Sequence, residues 1–273
     1  MAKGKARVNY MGREGIVQSD TGPDWGFLYR ASTVRDPGWN VGDRVVTPDG
    51  RVFYYSLSGG ACSTGMGNVF YNAIPATGID YSLLAAASAI GTKQVTMTNQ
   101  GVVAQTEDGL RNGTIVLKPA TGSTNHELQQ RRIIGNTAGG VSDEITIYLD
   151  APLTEALTTA SYAFAMPSPF SDIRYHAGTA ATYCSHCGLS AVEVTAASVY
   201  HWEQTWGPIW IAPQGECGQT QYGRGVVFRY DGTIQYVDYS SAIGGATGQY
   251  AGFILDNNAA SNGSTCIMLQ VCI

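Results

Sequence analysis

The chain has 273 residues and a formal net charge of −5; only 14% of its residues are charged, whereas 34 are glycine and 16 are tyrosine. This length allows one large hydrophobic core or two smaller ones, and 44% apolar residues with a small net charge exclude intrinsic disorder. The composition favours short strands joined by tight turns. The sequence has no dense basic stripe of the kind that a folded nucleic-acid-binding domain carries.

Residues 1–40 predict an extended N-terminal arm. Glycine and proline recur in this segment and interrupt each helix or strand that would otherwise form there. Its aromatic side chains need a surface to lie on, either of their own domain or of a neighbouring subunit. The four basic residues among the first thirteen either attract an acidic surface or belong to a solvated tail. The aromatic interface candidates of the arm are Tyr10, Trp25, Phe27, Tyr29 and Trp39.

Strand signals over residues 41–160 predict a first β-rich domain. Pro48, Asp49 and Gly50 separate two β-branched or aromatic stretches, and such a turn predicts a hairpin. Residues 83–90 form the longest apolar run; it is too short to span a membrane and predicts one short helix. Further strands are expected where β-branched runs are bounded by turn residues. These runs are residues 94–98, 113–117, 132–134 and 144–149.

Residues 161–273 predict a second β-rich domain. Residues 200–206 alternate aromatic and polar side chains, and Asp231–Gly232 between two apolar runs is the strongest short hairpin signal in the chain. In the C-terminal strand, every second residue is apolar, and these residues point to the same side of a strand. This alternation predicts a buried face formed by Ile267, Leu269, Val271 and Ile273. The predicted fold class is therefore all-β, with two β-sandwich or barrel-like units and an extended N-terminal arm.

Cys184 and Cys187, with Cys217 further on, are the sharpest candidates for chemistry because thiols at this spacing are soft ligands for zinc. Structural zinc sites usually need a second close pair, and Cys266 and Cys272 are too far apart to supply it. A redox motif would need a strand–helix junction that the chain lacks. No signal peptide is predicted, so the cysteines are expected to be reduced when the chain folds. Packing thiols are favoured, zinc binding is the alternative, and no metal or cofactor is expected.

No catalytic residue is predicted. Cys62 has no base in a recognisable arrangement, and a histidine among aromatic residues, such as His201, is more often structural than catalytic. Two carboxylates would suffice for a β-rich glycan hydrolase, but nothing in the sequence brings two of them together. The carboxylates considered are Asp143, Glu144, Glu193, Glu203 and Glu216.

Three tryptophans, Trp202, Trp206 and Trp210, follow one another at strand spacing. Their rings have the chemistry to stack on sugars, but the alternation favours core or interface anchors. Trp202 and Trp206 therefore join the interface candidates of the arm.

Three stretches resemble tailed-phage virion structural proteins. Residues 42–46 with 48–55 are similar to the opening of many such proteins, in which D-G-R-x-F-x-Y precedes a Gly/Ala-rich stretch, here residues 59–61. Residues 200–208 resemble an aromatic W-x-Q-T-x-G-P motif found later in the same proteins. Residues 250–256, followed by an apolar last strand, resemble the ending of phage decoration proteins.

The resemblance implies a particle-surface protein without an active site or cofactor, which is either a head cement protein or a tail or head-fibre component. Our prediction is a capsid decoration (cement) protein, which stabilises the capsid by bridging neighbouring capsomers. The partners it implies are the major capsid protein and further copies of the chain, as a dimer or trimer, with no direct nucleic-acid or membrane contact. The implied location is the capsid surface of the virion, after synthesis in the host cytoplasm. The alternative is a tail-associated or secreted glycan-binding module, with or without glycoside hydrolase activity, which the Trp and Tyr richness supports.

Overall fold

A computed structural model describes the chain in nine ranges, with the backbone alone described at residues 5–10, 13–18 and 80–81. Every regular element in these ranges is a strand except one 3-10 helix at Trp25–Tyr29. The predicted all-β class is confirmed. The described ranges are residues 5–10, 13–18, 25–70, 79–101, 103–120, 128–175, 185–213, 224–236 and 248–271.

The strands are short, as the turn-rich composition predicts, and β14 is the longest at 12 residues. In chain order they are β1 (Lys5–Tyr10), β2 (Arg13–Gln18), β3 (Arg44–Val46), β4 (Val52–Leu57), β5 (Gly67–Phe70), β6 (Ile79–Leu83), β7 (Gln94–Thr98), β8 (Thr114–Lys118), β9 (Gln129–Asn136), β10 (Glu144–Leu149), β11 (Tyr162–Met166), β12 (Ile173–Tyr175), β13 (Ser185–Ser190), β14 (Tyr200–Ile211), β15 (Gly225–Phe228), β16 (Ile234–Tyr236), β17 (Tyr250–Asp256) and β18 (Thr265–Gln270).

The chain divides into two compact units. Unit 1 comprises Met1–Trp39, Asp43–Tyr71 and Phe170–Ile273, and unit 2 comprises Asn40–Gly42 and Asn72–Pro169. This division differs from the contiguous domains expected from the sequence. The reason is strand pairing: β4, from the N-terminal part, pairs along six positions with β14 from the C-terminal part. The hairpin of β3 and β4 therefore belongs to unit 1.

Unit 2 is a six-stranded antiparallel sheet in the order β6-β11-β8-β9-β10-β7. Leu84, directly after β6, forms an antiparallel bridge with Met97 of β7, so the two edge strands meet and the sheet nearly closes into a barrel. Closure leaves little unpaired strand edge. Alternate residues of β8 and β10 fill the interior and are fully buried: Ile115, Leu117, Ile145, Ile147 and Leu149.

The predicted short helix over residues 83–90 is wrong. Leu83 ends β6, Leu84 bridges Met97, and Ser88 bridges Leu157. The apolar run follows the alternation of extended chain, because Leu84 is buried while Leu83 is 41% exposed.

Unit 1 contains a larger sheet in the order β12-β5-β13-β14-β18-β17-β15-β16, with β4 paired to β14 and β3 to β4. The predicted hairpin at Asp231–Gly232 forms from β15 and β16, in which Phe228 lies opposite Ile234. The predicted buried parity of the last strand is confirmed for Ile267, Leu269 and Val271. Ile273 lies outside the described residues.

The predicted arm contains regular structure that the sequence did not indicate. β1 and β2 form an antiparallel hairpin in which Gly15 lies opposite Val8, so a glycine is accommodated within a strand. After it, Leu28 of the 3-10 helix is fully buried, and Trp39 belongs to a hydrophobic cluster of unit 1. Residues 29–38 are exposed. Of the two surfaces considered for the arm, its own domain is the one that packs the apolar residues on either side of this exposed stretch: Trp25, Phe27, Leu28 and Trp39.

Candidate functional site

The aromatic interface candidates separate into buried and exposed residues. Trp39 and Trp202 meet edge to face, with ring centroids 4.8 Å apart, and both are buried in unit 1. Phe27 stacks on Trp39 at 5.8 Å. Trp25 packs against the same cluster and is half-buried, as is Trp206. Trp39 and Trp202 are therefore core residues of this chain.

Two arm candidates remain. Tyr29 is 50% exposed, and its hydroxyl accepts a hydrogen bond of 2.9 Å from Arg51 Nη1. Tyr10 lies in β1, whose backbone alone is described.

The cysteine motif falls mostly outside the described residues, which exclude Cys184, Cys217 and Cys272. Cys187 is a buried thiol whose Sγ lies 3.4 Å from the carbonyl oxygen of Asn68. Cys266 is a half-buried thiol on β18. The zinc and packing interpretations of Cys184 and Cys187 both stay predictions.

A different cysteine, Cys62, lies close to two buried polar side chains of unit 1. Its Sγ, a ring nitrogen of His201 and a carboxylate oxygen of Glu203 all lie within 4.8 Å of one another. All three side chains are fully buried. We call these three residues the buried triad.

Strand geometry places two members of the buried triad together. His201 and Glu203 alternate on β14, so both side chains project from one face, while Trp202 between them points to the aromatic cluster on the other face. On the neighbouring strand β4, Ser56 lies opposite His201 and Tyr54 lies opposite Glu203.

Glycine on β13 lets the adjacent strands approach the triad. Gly188 lies opposite Asn68 of β5, and a Cβ at this position would be 2.6 Å from the carbonyl oxygen of Gln204 and 3.3 Å from Glu203 Oε2. With no side chain at Gly188, Asn68 Nδ2 reaches across β13 and donates a 2.9 Å hydrogen bond to Glu203 Oε1.

The loop between β4 and β5 carries Cys62 to the triad. The Cys62 amide donates to the Val194 carbonyl at 2.8 Å, and the Val194 amide donates back at 3.0 Å. The Cys62 thiol lies 3.4 Å from the carbonyl oxygen of Ile173, within reach of a weak S–H hydrogen bond. Asp172 lies against the start of the loop, where a Cβ at Gly59 would overlap its carboxylate.

The hydrogen bonds of His201 define which nitrogen carries a proton. Nδ1 is 3.2 Å from the Val199 carbonyl oxygen, which can only accept, so Nδ1 carries hydrogen. Nε2 is 2.9 Å from Glu203 Oε1. These two groups therefore share one proton, either as imidazolium with carboxylate or as neutral imidazole with a protonated carboxyl.

Burial dominates the titration of the other two triad members. Desolvation raises the pKa of Glu203, and hydrogen bonds from His201 and Asn68 oppose this rise. Desolvation, followed by the charge of Glu203, raises the pKa of the Cys62 thiol. An unliganded Cys62 is therefore protonated at neutral pH and lacks the thiolate that a nucleophile needs. Glu203 Oε2 is buried and has no hydrogen-bond partner among the described residues.

The other carboxylates considered from the sequence have local roles. Glu193 accepts the Thr64 amide hydrogen bond at 3.0 Å and so fixes the loop that follows Cys62. Asp143 accepts the Gly140 amide at 2.7 Å within a turn of unit 2. Glu144 is exposed at the start of β10, and Glu216 lies outside the described residues.

The outer face of the large sheet carries exposed apolar side chains. Pro208 of β14 lies opposite Met268 of β18, which lies opposite Phe253 of β17. Trp210 extends this row on β14. Trp210 is 59% exposed and Phe253 is 37% exposed. We call Pro208, Trp210, Phe253 and Met268 the outer apolar face; Ile267 and Leu269 point to the opposite side, into the core.

Sequence reasoning missed the buried triad and most of the outer apolar face. The sequence is sufficient to predict that His201 and Glu203 lie side by side, because residues two apart in a strand share a face. The sequence does not predict that Cys62 joins them, because its position depends on the pairing of a loop with the segment around Val194, far along the chain. Trp210 was recognised as a stacking or anchoring residue, but its exposure depends on how β14, β17 and β18 are arranged.

No protein-family model, curated protein or solved structure matches the chain. Across the part of the chain that the structure describes, no helix combines the length and hydropathy needed to cross a membrane.

Proposed function

We propose that the chain is a structural component of a phage particle, which decorates the capsid and stabilises it by bridging neighbouring capsomers. The outer apolar face carries this proposal. It presents aromatic side chains on a hydrogen-bonded sheet, so the anchors are held in position before a partner arrives. Clustered exposed apolar residues of this kind mark interaction surfaces in soluble proteins.

The three stretches that resemble phage structural proteins lie close together in unit 1, which supports a scaffold shared with those proteins. The stretch over residues 48–55 contributes β4, and the stretch over 200–208 begins β14, its direct neighbour. The stretch over 250–256 is β17, which reaches β14 through β18. The three resembling stretches thus build one sheet, and β14 and β17 together bear most of its outer apolar face.

Many copies of a modest surface are sufficient for such a role. Each copy would bury a small aromatic area on the capsid, and multivalent attachment through self-association would convert weak contacts into strong retention. The proposed partners are the major capsid protein and further copies of this chain as a dimer or trimer. Light scattering of the purified protein should give a mass of two or three chains, and a monomer at high concentration would remove this part of the proposal.

The experiment is a binding assay with capsids assembled without this chain. The double variant Trp210→Ala/Phe253→Ala should decorate these capsids at least tenfold more weakly than the unmodified protein. Ile90→Ala, which truncates an apolar residue of unit 2 that is 65% exposed, is the matched control and should bind normally. Both variants change exposed side chains, so both should stay folded.

Two outcomes would contradict the proposal. Equal decoration by the double variant would show that the outer apolar face is not the capsid-binding surface. The second outcome is that the unmodified protein fails to bind capsids but binds a polysaccharide, and that Trp210→Ala abolishes this binding. This result would favour the glycan-binding alternative, because an exposed tryptophan is also a platform for sugar rings.

A further inference from the structure

We propose that Cys62, His201 and Glu203 form a binding site for a divalent transition-metal ion, with Zn²⁺ the best match to the donor set. The three donors converge within 4.8 Å although they come from a loop and a strand that are distant in sequence. A thiolate, an imidazole and a carboxylate are the ligands that zinc takes in proteins. This site lies inside unit 1 and is independent of the proposed capsid role.

The separation of the two donors on β14 is close to the one that coordination requires. Metal–nitrogen and metal–oxygen bonds of about 2.0 Å place tetrahedral neighbours about 3.3 Å apart. His201 Nε2 and Glu203 Oε1 are 2.9 Å apart, so they need to separate by only a few tenths of an ångström to admit an ion.

The orientation of His201 is the one that a metal-binding imidazole requires. Its Nδ1–H donates to the Val199 carbonyl at 3.2 Å, which leaves Nε2 as the coordinating atom and turns it toward Glu203. A ligating histidine commonly donates its other ring hydrogen to a backbone carbonyl or a carboxylate, which fixes both tautomer and ring plane. Asn68 supports Glu203 in the same way, through its 2.9 Å hydrogen bond to Oε1.

Glu203 supplies an independent indication of a ligand. Its Oε2 atom is buried and has no hydrogen-bond partner among the residues that the structure describes. A buried acceptor left without a partner is destabilising, and more so when it is charged. A cation bound to this carboxylate would satisfy that oxygen, and two-oxygen binding by Glu203 would fill the fourth position of a three-residue site.

The charges also balance. Metal binding displaces two protons to solvent, the thiol proton of Cys62 and the proton that His201 Nε2 shares with Glu203 Oε1. His201 is then neutral, and one thiolate and one carboxylate offset the two positive charges of the ion. Coordination would thus replace three buried polar groups by one neutral unit. It would also tie the loop of Cys62 to β14, which is flanked by β13 and β4 in this part of the sheet.

The test measures metal stoichiometry and coordination in the full-length protein. Purified protein is stripped with a chelator, reloaded with Zn²⁺ or Co²⁺ and dialysed, and the bound metal is determined by elemental analysis. The proposal predicts about one ion per chain, and for the cobalt form a thiolate-to-metal charge-transfer band. Glu203→Gln, which preserves side-chain shape, should weaken binding at least tenfold, and Cys62→Ser should abolish the charge-transfer band.

Cys187→Ser and Cys184→Ser are the controls, because they remove the cysteines of the spaced motif and leave the buried triad intact. Both should retain one ion and the charge-transfer band. Unmodified protein that takes up no ion after reloading would overturn the proposal, whether or not the variants fold. Loss of the ion in Cys184→Ser or Cys187→Ser would place it in the spaced cysteine motif and would equally overturn the assignment.

Discussion

Replacement of Trp39 by alanine tests whether the C-terminal part of the predicted arm belongs to the core of unit 1. Trp39 is 4% exposed, and its ring packs edge to face on Trp202 at 4.8 Å and stacks on Phe27 at 5.8 Å. Truncating a buried aromatic residue to alanine typically costs about 3–5 kcal/mol. Because Trp39 joins two aromatic partners, we expect Trp39→Ala to lower the free energy of unfolding by a value in this range.

The assay is equilibrium unfolding in urea, followed by far-UV circular dichroism so that the lost tryptophan does not alter the signal. The variant should shift the midpoint downward with an unchanged slope. Trp210→Ala is the control, since it removes the same side chain from a site that is 59% exposed and should cost under about 1 kcal/mol. If the Trp39 and Trp210 variants are equally stable, residues 25–39 do not contribute a core, and an arm that orders only on a neighbouring subunit is the better description.

Three further substitutions test other parts of the fold by the same unfolding assay. Leu269→Ala should lower the free energy of unfolding by about 2–5 kcal/mol because Leu269 is fully buried on β18. Met268→Ala, on the outer face of the same strand, should lower it much less. Equal losses of stability would contradict the assignment of Leu269 to the core side and Met268 to the outer side. Gly188→Ala should clearly lower the free energy of unfolding, because its Cβ would lie 2.6 Å from a backbone oxygen. Gly60→Ala should have a small effect on stability, because its Cβ would meet no atom closer than 3.4 Å. The reverse order of stabilities would refute this packing. Desolvation raises the pKa of Tyr55 above its ordinary value of 10.0, so the unfolded chain loses this phenolic proton first and stability falls as pH rises above about 10. Tyr55→Phe should show a shallower decline, and an unchanged decline would contradict the effect.

The sequence predicted the features of the fold that depend on neighbouring residues. The alternation of Ile267, Leu269 and Val271 identified the buried face of β18, because side chains in a strand alternate whatever its partners are. The Asp231–Gly232 turn located the hairpin of β15 and β16 for a similar reason, since the turn type depends on two residues. The strand expected at residues 144–149 coincides with β10.

The sequence was insufficient where tertiary pairing decided the outcome. Residues 83–90 have no local signal that separates a short helix from extended chain, and the bridge from Leu84 to Met97 selects the extended form. Phe27 and Trp39 of the arm pack on Trp202, which lies far along the chain, so no local signal distinguishes them from interface anchors. The buried triad depends on the same kind of long-range pairing, between the loop of Cys62 and the segment at Val194.

We propose that this chain covers a capsid through the outer apolar face. The most direct test of this proposal is a cryo-electron microscopy reconstruction of capsids incubated with the protein. We expect a stoichiometric lattice of density on the head, with Trp210 and Phe253 in contact with the capsid or with an adjacent copy. Bare capsids at saturating protein, or density confined to a few copies at the tail, would contradict it.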